Sequence, residues 1–260
     1  MKTRRKFLFG TLGALGLGAV VAWMNKNSVL RWLILNNKNR DLSISEAPAL
    51  ADNICVLTSK QTEGPFFIDS AMRQDIREDR QGKTMHLNLQ ILRYPECTPI
   101  PNAKVEIWHC DAEGKYSGYP EELAHNIYGT LKLTGMKDGN IKPMTEARYL
   151  RGAQSSDENG NLKFITVFPG WYDPRTPHIH IKILIDDKEQ LTSQFYFETE
   201  FQDKIFMSTA PYSTYGKSPY NLSNDVVLKG EKKIEGLLLK PVWSEEGPLE
   251  VSVKIGINPA

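Results

Sequence analysis

The stretch "MHLNLQIL" (residues 85–92) puts Leu87, Leu89 and Ile91 at every second position, with polar residues between them. Successive side chains of an extended chain point to opposite faces, so this spacing makes a strand with one apolar side. A helix of 3.6-residue period would scatter the same three residues around its axis. Working outward, "KVEIWHC" (residues 104–110) repeats the rhythm with Val105 and Ile107 after the turn "PIPNA". Then "DENGNLKFITVFPGWY" (residues 157–172) reads as an Asn-Gly hairpin turn, a strand and a Pro-Gly stop. Further strands are expected over 179–185, 192–197 and 249–257, and short helices only near 121–124 and 200–206. Many short strands punctuated by Gly, Pro, Asn and Asp predict an all-β protein, a β-sandwich over residues 51–260.

With 260 residues, 40% hydrophobic and 24% charged, the chain has room for one good-sized domain and is neither disordered nor a polytopic membrane protein by composition. Its 32 Lys+Arg against 31 Asp+Glu leave a net charge of +1, which offers no electrostatic footprint for nucleic acid. The expected partner is a small molecule. Residues 1–23 read as a leader, with Arg4 and Arg5 ahead of a Gly-rich apolar run. The paired arginines resemble a twin-arginine export signal, and the same run is long enough for a membrane anchor. The expected location is therefore the bacterial periplasm, with cleavage, an inner-membrane tether and the oligomeric state left open. Residues 24–50, Asn-rich with one apolar knot, read as a linker.

Three cysteines, Cys55, Cys97 and Cys110, cannot all pair within one chain. In an oxidising compartment the favoured pair is Cys55 with Cys97, because Cys110 lies in a strand-like run; three buried thiols are the alternative.

The chemistry concentrates in "GWYDPRTPHIHIK" (residues 170–182). On a strand His178 and His180 project to one side and Ile179 and Ile181 to the other, which makes a two-pronged metal ligand or a solvated polar face. Tyr172 and Arg175 lie just before the pair, and Tyr116 follows a turn in "WHCDAEGKYSGY" (residues 108–119). Two phenols and two imidazoles form a donor set suited to ferric iron. His86 reads as a packing or surface residue and His125 as a solvent-exposed loop residue; His109, beside Trp108, reads as packing, with support of the ligand set as the alternative; Trp171 and Tyr119 read as pocket wall or core.

These segments, with "TEGPFF" (residues 62–67), "YLRGAQSSDENGNLKFITVFPGWY" and "LTSQFYF" (residues 191–197), resemble the intradiol ring-cleavage dioxygenases. The resemblance implies a transthyretin-like β-sandwich holding one non-haem Fe(III) per chain through Tyr116, Tyr172, His178 and His180. It implies Tyr172 as the labile axial ligand, Tyr116 as the retained equatorial one, His180 axial and His178 equatorial. It further implies Arg175 and Gln194 as catalytic residues, Arg175 stabilising charge on the ring and Gln194 orienting hydroxide or substrate. The substrates it implies are a small aromatic diol and O2, converted to a cis,cis-muconate-type diacid. Two rivals remain on the residues alone, a non-catalytic transthyretin-like binding domain and a zinc-dependent hydrolase built on His178 and His180.

Overall fold

A computed structural model describes residues 55–120, 140–229, 231 and 234–259. The leader, the linker, the expected helix near 121–124 and His125 lie outside the described residues. The nine described strands form two sheets. In the first, β1 (Thr84–Arg93) pairs antiparallel with β2 (Thr98–Pro99) and β5 (Asn161–Val167) and parallel with β9 (Leu249–Ile257). The second has the order β4 (Arg151–Ser155), β3 (Lys104–Trp108), β6 (His178–Ile185), β7 (Lys188–Phe197), β8 (Leu238–Leu239).

The alternation read in β1 is realised: Met85, Leu87, Leu89 and Ile91 are buried and the residues between them are half-buried. Those four join Val105, Ile107, Phe164, Ile179, Ile181, Ile183, Val251 and Ile255 in one continuous core. Burying each of these large apolar side chains contributes roughly 1.5–3 kcal/mol. One helix of ten residues, α1 (Thr199–Ser208), follows β7 close to where it was expected and buries Ile205 and Phe206. Among the described residues no helix is long and apolar enough to cross a membrane.

One strand had no counterpart in the expectations, and one expectation is corrected. The stretch "RGAQS" carries no alternating apolar pattern, yet it forms β4, because it pairs along all of β3 from Lys104↔Ser155 to Trp108↔Arg151. The "DENG" turn is not a hairpin within one sheet. It joins β4 to β5, which belong to different sheets, and so forms a corner of the sandwich. Asp157 makes that corner locally: its Oδ1 accepts the backbone N–H groups of Asn159 and Asn161, and Gly160 takes φ +74°.

The disulfide joins Cys55 to Cys97, and Cys110 is free and buried.

Candidate metal centre

Strand β6 is buried on both faces. Ile179, Ile181 and Ile183 enter the core, which leaves His178, His180 and Lys182 on the opposite face of the five-stranded sheet, where loops cover them. Antiparallel pairing then fixes the neighbours. Arg151, Trp108, His180 and Gln194 lie in one row across β4, β3, β6 and β7, and Tyr196 lies opposite His178.

Tyr116 and Tyr172 come to this face on two loops held backbone to backbone. Asp111 shapes the first loop by accepting the N–H groups of Glu113 and Lys115 on Oδ1. The N–H of Gly170 donates to Asp111 O at 2.9 Å, and a Cβ on Gly170 would lie 2.6 Å from Ala112 O. The close approach therefore requires glycine at that position. In the second loop Arg175 N–H donates to Tyr172 O, folding residues 172–175 into a turn.

The four expected donors converge. Tyr116 Oη is 3.2 Å from His178 Nε2 and 3.1 Å from His180 Nε2; Tyr172 Oη is 3.3 Å from His178 Nε2, and the two Nε2 atoms are 3.1 Å apart. Donors bound to one ion at about 2.1 Å are separated by about 3 Å, so the spacing fits a shared cation. The tautomer fits as well. His178 Nδ1 is 2.7 Å from the carbonyl of Thr176, which can only accept, so the proton is on Nδ1 and the Nε2 lone pair faces the other donors. His180 is held by stacking on Trp108, with centroids 4.9 Å apart and planes at 7°, and its buried Nδ1 has no partner among the described residues. Gly64 of "TEGPFF" closes against it: a Cβ there would lie 3.1 Å from His180 Cε1.

All four side chains are at most 2% exposed, and this sets their protonation. Burial, reinforced by the charge of Arg175, holds both histidines well below the usual imidazole range, so they are neutral and ready to ligate. Burial pushes the Tyr172 phenol up to about 12, with Arg175 opposing the rise, and pushes Tyr116 well above its ordinary value. A tightly bound trivalent cation reverses that penalty by pairing with the phenolates. Among the described residues no group of three His, Cys, Asp or Glu gathers, so tyrosines have to complete any ligand set built on His178 and His180.

Arg175 and Gln194 are brought to the same site, in contact with each other: Arg175 Nη2 donates to Gln194 Oε1 at 2.5 Å and to Tyr196 Oη at 3.2 Å. Gln194 Nε2 donates to Thr62 O at 2.7 Å, which ties the "TEGPFF" segment to β7. Both ends of the Gln194 amide are therefore engaged, the oxygen by Arg175 and the nitrogen by Thr62. Tyr196 was missed in the sequence, although its place two residues after Gln194 puts it on the same strand face. Asp225, at 2.9 Å from Arg175 Nε, was also missed, and no local pattern marks it.

The remaining residues sort into support. His109 is fully buried, donates from Nδ1 to Cys110 O and accepts at Nε2 from Thr166 Oγ1, both at 2.7 Å. His86 lies 2.7 Å from Glu250 across β1 and β9. Tyr119 is buried against Phe66, whereas half-buried Trp171 lines a cavity of about 260 Å³ with Ala112, Glu113, Lys115 and Tyr215.

Residues 62–229 match the family model Dioxygenase_C, described as dioxygenase. A catechol 1,2-dioxygenase from Pseudomonas sp. (strain EST1001) is 27% identical over 210 residues, covering 78% of this chain and 64% of that protein. A chlorocatechol 1,2-dioxygenase from Cupriavidus pinatubonensis is 26% identical over 52% of this chain and 53% of its own. The chain thus spans about half to two thirds of the length of these curated relatives. Among solved structures, an intradiol ring-cleavage dioxygenase from Tetranychus urticae aligns with a TM-score of 0.68 at 30% identity, over 79% of this chain and 96% of that one. The fold, the family match over residues 62–229 and this alignment place the chain in the intradiol ring-cleavage dioxygenase family.

Proposed function

We propose that the protein cleaves a catechol-type ring between its two hydroxyl-bearing carbons with O2, giving a cis,cis-muconate-type diacid at one non-haem ferric ion. The observation that carries this reading is the convergence of Tyr116 Oη, Tyr172 Oη, His178 Nε2 and His180 Nε2 within 3.1–3.3 Å in a buried site. Ferric iron would supply Lewis acidity for both catechol oxygens and the redox link between the ring and O2.

The chain's own residues do the rest. Tyr116 and His178 anchor the ion, His180 is kept in place by Trp108, and Tyr172 Oη is the base that takes a substrate hydroxyl proton. Arg175 opposes the burial penalty on the ionised Tyr172 phenol, which favours the phenolate that accepts the proton. Arg175 meets negative charge on the ring oxygens, an effect usually worth about 3–4 kcal/mol. Gln194 and Tyr196 keep its guanidinium in place.

We also infer export to the periplasm through the leader in residues 1–23. The Cys55–Cys97 disulfide supports an oxidising compartment.

The visible spectrum of aerobically purified protein, before and after adding catechol, tests the main reading. A red-brown phenolate-to-iron band that moves to longer wavelength, followed by muconate absorbance in the ultraviolet, is expected. A colourless, inactive protein after iron loading would sink it.

A further inference from the structure

Asp225 lies fifty residues beyond Arg175 in sequence, and its side chain is fully buried. Its carboxylate collects four N–H groups. Arg175 Nε lies 3.2 Å from Oδ1 and 2.9 Å from Oδ2; Thr176 N–H donates to Oδ2 at 2.9 Å; Val227 and Leu228 N–H donate to Oδ1 at 2.9 and 3.3 Å. The guanidinium is thereby divided by edge: Nε goes to Asp225, and Nη2 goes to Gln194 and Tyr196. Nη1 is not the atom engaged by Asp225, Gln194 or Tyr196, and Arg175 keeps 5% of its surface exposed.

We propose that Asp225 is a positioning residue for Arg175, clamping the Nε edge so that the Nη1 edge is the part presented to the substrate's ring oxygens. This rests on the reading of the site as a catechol-cleaving centre. The physical case has three parts. A guanidinium on a flexible stem loses its geometry unless its fork is held, and a carboxylate is the strongest available clamp. A buried cation also requires a compensating anion, which Asp225 alone supplies among the described residues hydrogen-bonded to the Arg175 side chain. The same carboxylate accepts the N–H of Thr176, the residue next to Arg175, so the backbone that carries the guanidinium is held along with its Nε edge.

The test is a double-mutant cycle on the iron-loaded protein with catechol as probe: Asp225→Asn, Arg175→Met and the pair together. Asp225→Asn should keep its iron content and visible band, change KM less than roughly threefold, and lower kcat about tenfold or more. In the Arg175→Met background the same change should alter kcat by less than about twofold, because a residue acting through Arg175 has nothing left to position. Equal kcat losses in both backgrounds, or loss of iron in Asp225→Asn, would overturn the proposal in favour of a general structural role. Should Asp225→Asn not fold, the wild type provides a second readout. The ¹⁵N-resolved Nε–H of Arg175, assigned by its loss in Arg175→Met, should be shifted downfield and protected from water exchange; rapid exchange overturns the clamp. An iron-loaded wild type with neither tyrosinate band nor turnover would refute the dioxygenase reading itself, and the arginine signal would still judge the hold of Asp225 on Arg175.

Discussion

Arg175 is buried yet contacts none of the four donor oxygens and nitrogens through a hydrogen bond; it acts on them by charge, lowering the phenol of Tyr172 and the imidazoles of His178 and His180. Removing it therefore leaves the four converging donors in place. We predict that Arg175→Ala retains iron and colour but loses about 10²-fold or more in kcat, as when an oxyanion-stabilising donor is deleted. Metal analysis beside turnover of catechol checks this, and full turnover would contradict the role. His109 gives a residue-scale prediction about stability. Burial, aided by the charge of Arg151, lowers its pKa from 6.5 to about 4. The folded state excludes a proton that the unfolded chain binds, so stability is full above about pH 6.5 and falls as pH drops toward 4. The loss is of order 3 kcal/mol at most. Urea unfolding from pH 7 to 4.5 should show a steeper decline for wild type than for His109→Asn, since the difference between the two isolates this group from the ligand histidines.

At the scale of elements, β6 and the two tyrosine loops do the assembling. Strand β6 faces the core with its isoleucines and the site with its histidines, so the packing that stabilises the sandwich also fixes the histidine pair. The loops at residues 111–116 and 170–175 bring the phenols over that face only because Gly170 allows main chain to touch main chain. A Cβ there would sit 2.6–2.8 Å from backbone atoms of Asp111 and Ala112, which have no rotamer by which to yield. Gly170→Ala should thus destabilise the protein by about 1–3 kcal/mol and shift the tyrosinate band by parting Tyr116 from Tyr172. An unchanged melting temperature and spectrum would show that the loops are not held this way.

At the scale of the molecule, the Cys55–Cys97 bond ties the segment leading into "TEGPFF" to the turn after β1, across 42 residues of sequence. Beyond the bond that segment runs along the second sheet: Gln61 N–H donates to Thr192 O, Ser193 Oγ to Ser59 O and Gln194 Nε2 to Thr62 O. Closing a loop of this length removes about 4 kcal/mol of unfolded-state entropy in the chain-entropy model. Reduction should lower the melting temperature by roughly 10 °C, read by thermal unfolding with and without reductant and against Cys97→Ser. No change on reduction would show that the bond does not constrain the fold.

The strands and the cluster of four donors were legible because both are short-range patterns. Alternation in β1, β6 and β9 follows from the two-residue period of the extended chain, and His178-x-His180 follows from the same period. Tyr116, Tyr172, Arg175 and Gln194 stood in recognisable segments, and the structure brings all four together with the histidines. What local pattern did not carry was pairing at a distance. The sequence "RGAQS" becomes a strand only by lying along β3, and "DENG" becomes a corner only because its flanking strands pair in different sheets. Asp225 reaches Arg175 only because the loop after α1 folds back over the site. Periodicity and donor chemistry belong to the chain itself, whereas partners separated by fifty residues are chosen by which backbone groups and charges burial leaves in need of one another.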